Sequence, residues 1–166
     1  MSVEIGSAVR ICGVDDAVAA DAIIRFRKLY GYLSNMAACQ VEFDGAIYNS
    51  VEHAYQAAST LNLESRAKIQ RSGNPVWAKR MGKGVKKRED WAEVKVDVML
   101  GLLRLKFSQV KFRQKLLATG DHFILEGNEH GDNFWGMCRN ADGVFKGRNQ
   151  LGRLLMQVRE EVRSVV

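Results

Sequence analysis

The sequence predicts an α+β fold, a mostly helical single domain with a small antiparallel β element. Three observations carry the prediction. Several segments place apolar residues at i, i+3, i+4 and i+7, the spacing of one buried helix face. Asp44-Gly45 lies between two short β-prone runs, a hairpin signal because a type I′ turn needs positive φ at both central residues. The 166 residues are 46% hydrophobic and include one proline, Pro75, so a single core is affordable and no Pro-rich linker divides it.

In chain order, Val3, Ile5, Val9 and Ile11 alternate, the pattern of an edge strand, and Asp15-Asp16 precedes an Ala-rich helical turn. Residues 1–23 read as an N-terminal extension and residues 24–166 as the domain. The hairpin covers residues 41–48. Ser50 reads as the N-cap of a helix whose buried face is Val51, Ala54, Tyr55 and Ala58. A short helix follows over residues 64–71. Asn74-Pro75 reads as N-cap and first residue of another, ended by Gly82. Asp90 and Glu93 predict a capping pair for a long helix with Trp91, Val94, Val98, Leu102 and Leu105 inward. Ser108 predicts the cap of a helix carrying Phe112, Leu116 and Leu117 and stopping near Gly120. Residues 123–125 read as a short strand, residues 127–148 as loop with one brief strand. The last helix starts near Asn149, with Leu151, Leu154, Leu155, Val158 and Val162 on one stripe.

A formal charge of +6 suits an anionic partner or a basic protein with none. Three widely spaced cysteines form no C-x-x-C pair, which predicts reduced thiols and no structural zinc. No apolar run is long enough to span a membrane, and a cytoplasmic protein is expected. P-loop, Rossmann and G-x-S-x-G signatures are absent, and His53, His122 and His130 lack metalloprotease spacing. No metal and no cofactor are expected.

Four segments carry candidate chemistry, each with a purely structural alternative. Glu52, Gln56 and Ser59 form a stripe bordering the apolar face of the first long helix. A carboxylate there can face a cleft with a raised pKa, or merely favour the helix dipole. Residues 126–136 crowd Glu126, Asn128, Glu129, Asp132, Asn133, Phe134, Trp135 and Gly136 together. That composition suits a developing positive charge beside a flat ring, or a solvated turn closed by a buried tryptophan. From Lys79 to Arg88 the chain is basic, for phosphates or for solvent. Gly143 to Asn149, with Lys146 and Arg148, is either an anion site at a helix start or a glycine turn.

These segments occur in the order of a known family. Phe26 with Tyr32-Leu33-Ser34-Asn35, then Phe43-Asp44-Gly45, then Ser50-Val51-Glu52-His53-Ala54-Tyr55-Gln56-Ala57 begin the match. Ala78-Lys79-Arg80-Met81-Gly82, Arg88-Glu89-Asp90-Trp91, Met99, Lys106-Phe107 and Leu116-Leu117-Ala118-Thr119-Gly120 continue it. Glu126-Gly127-Asn128, Asp132-Asn133-Phe134-Trp135-Gly136 and Gly147-Arg148-Asn149-Gln150-Leu151-Gly152 follow. Over residues 24–160 the chain resembles the NADAR/YbiA-like family.

The resemblance implies a YbiA-like fold and an N-glycosidase, a hydrolase that separates ribose from an amino-linked base. The implied substrates are ADP-ribose on guanine in nucleic acid, with a cognate ADP-ribosyltransferase toxin system as partner, or ribosylamino-pyrimidine phosphate intermediates of riboflavin synthesis. On this reading Glu52 and Asp132 flank the anomeric carbon and Trp135 and Phe26 meet rings. Ser34, Asn35, Gln56 and Gly136 line the sugar site, and Arg25, Lys79, Lys146 and Asn149 surround phosphate. One departure stands out. The family commonly has a lysine where this chain has Ser59, a position at which an amine can form an imine with an opened sugar. Carboxylate-assisted hydrolysis, a substitute amine, or a binding module for ADP-ribose or nucleic acid with little catalysis are the alternatives, and Ser59→Lys is expected to raise activity.

Overall fold

The structure, a computed structural model, describes residues 9–164. Val3 and Ile5 of the expected edge strand lie outside these residues. Six short strands and seven helices follow one another as β1 (Arg10–Ile11), α1 (Asp16–Ala20), β2 (Val41–Phe43), β3 (Ala46–Tyr48), α2 (Val51–Ala58), α3 (Leu63–Gln70), α4 (Pro75–Gly84), α5 (Trp91–Ser108), α6 (Val110–Leu117), β4 (Gly127–Asn128), β5 (Met137–Arg139), β6 (Val144–Gly147) and α7 (Gln150–Arg163). A 3₁₀ segment, Lys28–Leu33, precedes β2. No helix among the described residues is long and apolar enough to cross a membrane.

The hairpin forms with Asp44 at φ 54° and Gly45 at φ 74°, the left-handed pair its turn requires. The second sheet is mixed rather than purely antiparallel. Its order is β1-β6-β5-β4, with β1 and β6 parallel, β4 and β5 parallel, and β5 and β6 antiparallel. Three of its strands come from the stretch that the sequence assigned mainly to loop. They total nine residues and carry glycine and polar groups, so no apolar alternation betrays them. Residues 123–125 make only one bridge, Ile23 to Ile124.

Helix α2 is the centre of the molecule. Ser50 caps it by accepting from the His53 amide, and all eight of its residues are buried. Around it pack α3, α4 and α5. Two expected caps are spent elsewhere. Asp90 makes no side-chain cap and binds Arg88 through both carboxylate oxygens, at 2.5 and 2.8 Å. Ser108 ends α5 and bonds back to the Leu105 carbonyl, while Gln109 starts α6. The inward stripe of α5 is Met99, Leu102, Leu103, Lys106 and Phe107, with Leu105 left 43% exposed. Gly82 does not end α4, which runs to Gly84. Its missing side chain makes room for Gln56, whose Oε1 would lie 2.0 Å from a Cβ at this position.

Candidate active site

A cavity of about 620 Å³ opens where α2, the residues flanking the 3₁₀ segment, α4, α5 and the 126–135 loop meet. Its size is that of a small-molecule site. Glu52 and Gln56 reach it from α2, one helical turn apart. The Gln56 amide donates to Glu52 Oε1 at 2.9 Å. The same helix buries its other faces in the core, so neither side chain can leave without disturbing packing. Burial pushes the Glu52 carboxyl above its ordinary range. Gln56, Lys79 and His53 pull it back, and Asp132 adds to the rise.

Glu126 and Asp132 face Glu52 across the cavity. Glu126 is raised to about 7, first by burial and then by the charges of Asp132 and Glu52, with Lys79 opposing. Its Oε2 is buried and has no hydrogen-bond partner. The peptide N–H of Glu126 donates to Asn149 Oδ1 at 3.0 Å. Asp132 is held differently. Its Oδ1 accepts from the amides of Phe134 and Trp135, at 3.1 and 2.8 Å, so the carboxylate also ties the loop together. Asn128 completes the loop by donating to the Asp132 carbonyl at 2.8 Å.

The walls divide by chemistry. Trp135 packs edge-on against Tyr55, ring centroids 5.5 Å apart, and Phe26 lines the mouth. Ser34, Asn35 and Met99 form one side. Asn35 leaves its buried Oδ1 unpaired. Three cations line the cavity. Arg25 bonds Glu129 at 2.7 Å on the exposed rim, Arg27 also contributes, and Lys79 stands close enough to Glu52 and Glu126 to pull both carboxyls down.

Nine residues singled out from the sequence therefore line one cavity: Glu52, Asp132, Arg25, Phe26, Ser34, Asn35, Gln56, Lys79 and Trp135. Four do not. Gly136 packs with its Cα side against the Glu126 carbonyl, where a Cβ would lie 2.3 Å away. Lys146 stands exposed on β6, opposite Cys138. Asn149, at φ 48°, is buried and bonds Ile124 and Glu126 rather than a ligand. The amides at the start of α7 are already spent. Those of Asn149, Gln150 and Leu151 donate to the carbonyls of Gly136, Phe134 and Trp135, which leaves no anion site there. Ser59 is fully buried behind the cavity wall. Its hydroxyl donates to the Gln56 carbonyl at 2.6 Å and accepts from Lys87 Nζ at 2.7 Å. A lysine at 59 would thus meet an ammonium already in place. The residue the sequence undervalued is Glu126. Of the carboxylates in residues 126–136, the sequence pointed to Asp132 and not to Glu126. The clue was Asn149, whose real task is to hold the Glu126 peptide.

The NADAR domain model matches residues 25–163. The chain is 39% identical over 151 residues to N-glycosidase YbiA of Escherichia coli (strain K12), covering 87% of this chain and 91% of that one. It is 33% identical over 143 residues to an N-glycosidase of Nostoc punctiforme, covering 82% and 88%. A riboflavin biosynthesis protein of Vibrio vulnificus shares 37% over 138 residues, which is 81% of this chain but 36% of that protein. The NMR structure of E. coli YbiA superposes with a TM-score of 0.73 at 38% identity, covering 87% of both chains. The domain model spans every segment that builds the cavity, and the chain belongs to the NADAR domain family.

Proposed function

We propose that the chain is an N-glycosidase that hydrolyses the bond between ribose and an amino-linked base through the carboxylates of this cavity. The observation that carries the reading is the convergence of Glu52, Glu126 and Asp132, with Glu126 titrating at about 7 and its Oε2 free. A carboxyl that still holds its proton near neutrality is a general acid. Glu126 gives that proton to the departing nitrogen as the C1′–N bond breaks. The anomeric carbon then carries positive charge, which the carboxylates of Asp132 and Glu52 stabilise. Water attacks C1′ and gives a proton to Glu52, which lines the same cavity. The products are the free amine and the ribose hemiacetal. Asn35 and Gln56 meet sugar hydroxyls, Trp135 and Phe26 the rings, and Arg25 and Lys79 the phosphate side. The names of the relatives, N-glycosidase in E. coli and in Nostoc, support the reading.

Two substrates share this shape: ADP-ribose on guanine in nucleic acid, and a ribosylamino-pyrimidine phosphate. Incubation with a guanosine-ADP-ribosylated oligonucleotide and with the pyrimidine phosphate, read by mass spectrometry, tests the reading and separates them. Free ADP-ribose or free pyrimidine amine is the expected product. Salt-sensitive binding without either product would instead make the chain a binding module.

A further inference from the structure

Lys106 is one of the largest fully buried side chains among the described residues, at 0% exposure. Taking an ammonium out of water is costly, and lysines are almost never fully buried unless paired. Here no carboxylate pairs it among the described ion pairs. Its Nζ makes one hydrogen bond, to the Ser34 carbonyl at 2.8 Å. The rings of Phe107 and Phe112 lie 5.2 and 5.4 Å away. An apolar side chain of the same length would fill this place at less cost, so the single bond needs an explanation.

The bond falls on a turn that leads into the cavity. The Ser34 carbonyl also accepts from the Ala37 amide at 3.1 Å. One peptide later, the Asn35 carbonyl accepts from the Glu52 amide at 3.0 Å. The Asn35 side chain lines the cavity and touches Met99 Sδ at 3.4 Å. Met99 lies seven residues before Lys106, on the same face of α5. Helix α5 therefore grips the turn at two points, Met99 against the Asn35 side chain and Lys106 against the Ser34 carbonyl.

We infer that Lys106 is a positioning residue, holding the Ser34–Asn35 turn so that Asn35 faces the substrate and its carbonyl anchors the first turn of α2 beneath Glu52. The role of Asn35 toward substrate rests on the proposed function, and the anchoring of Glu52 does not. Burial lowers the Lys106 ammonium only to about 8, so the donor is charged at neutral pH.

The test is Lys106→Met, which keeps length and removes charge. Amide hydrogen exchange should show the Glu52 N–H losing protection about tenfold while Leu103, deep in α5, keeps it. The melting temperature should stay the same or rise. With the accepted substrate, kcat/KM should fall about tenfold, and Lys106→Met with Asn35→Ala should lose less than the two single losses combined. Unchanged Glu52 protection, additive losses, or a uniform loss of protection with a lower melting temperature would each overturn the inference. A wild-type chain that turns over neither substrate would count against the proposed function, and the exchange measurement would still decide the anchoring. If Lys106→Met does not fold, Lys106→Gln is measured in the same way; failure of both to fold makes Lys106 a structural residue and also overturns it.

Discussion

Glu52 and Glu126 face the same cavity from opposite kinds of structure. Glu52 sits on a helix whose eight residues are all buried, and core packing fixes its backbone. Glu126 sits at the start of a glycine-rich segment whose residues 129–131 are exposed, and its peptide is fixed by hydrogen bonds, its amide donating to Asn149 Oδ1 and its carbonyl accepting from the Met137 amide. Packing is shared among many atoms and degrades gradually. A buried hydrogen bond is lost at once when its partner is removed. The two carboxylates are thus held by different means and differ in their tolerance to change.

The widest test of the pair is to neutralise each side. Glu52→Gln, Glu126→Gln and Asp132→Asn should each lower kcat about 100-fold or more in the mass-spectrometric assay. Asp132→Asn keeps an oxygen for the Phe134 and Trp135 amides, so its loss should come without loosening the loop. Near-wild-type turnover by Glu126→Gln would return the acid role to one of the other two.

Titration separates the pair next. The proton that Glu126 donates is lost above about 7, so kcat should fall about tenfold per pH unit beyond that point. The residual rate of Glu126→Gln should lack this limb. Stability follows the same group. The folded carboxyl keeps its proton to about 7 while the unfolded one releases it near the ordinary glutamate value. Wild type therefore loses stability as pH climbs between the two, and Glu126→Gln should lose less, the remainder coming from Glu52, whose carboxyl is also raised by burial. Melting curves at pH 5 and pH 8 check this.

Removing each support sharpens the contrast further. Asn149→Ala strands the Ile124 carbonyl and the Glu126 amide and puts alanine at φ 48°. It should cost roughly 2–3 kcal/mol in urea unfolding and lower kcat as well. Gly82→Ala strikes where α4 packs on α2. Its new Cβ would lie 2.0 Å from Gln56 Oε1 and 2.8 Å from Gln56 Cβ, so the helices must shift as the Gln56 amide leaves Glu52, and kcat/KM should drop severalfold with a loss of about 1–3 kcal/mol in stability. Ser50→Ala removes the cap of α2 at a cost of about 1 kcal/mol, with kcat nearly unchanged, because the core still holds Glu52.

The helix side was legible in the sequence because its signals are local. Ser50, the 3–4 spacing of Val51, Ala54, Tyr55 and Ala58, and the Glu52–Gln56 step all lie within ten residues. The loop side was not. The strands of residues 127–147 are too short for periodicity, and the partners of Asn149 lie 23 and 25 residues away. On α5, Leu102 is buried and Trp91 and Val98 pack against the core as expected, and Leu105 alone is shown to face solvent, for another reason. Lys106 belongs to the inward stripe, and a charged residue in it turns the eye to Leu105, which faces solvent. Ser59 reads as a missing amine in the sequence, and only the fold brings Lys87 Nζ, 28 residues away, against its hydroxyl.

Three glycines beneath the cavity have a consequence for how such a site can change. A Cβ at Gly136 would strike the Glu126 carbonyl, at Gly147 the Gly136 carbonyl, and at Gly152 the Ile124 carbonyl, at 2.3, 2.6 and 2.2 Å. Backbone rests directly on backbone there, so the frame that carries Glu126 does not depend on the side chains at the mouth. Glu129 and His130 line that mouth and are exposed. They can be exchanged while the carboxylates keep their places, which makes the rim the part of the enzyme where a new choice of substrate can be written without rebuilding the chemistry.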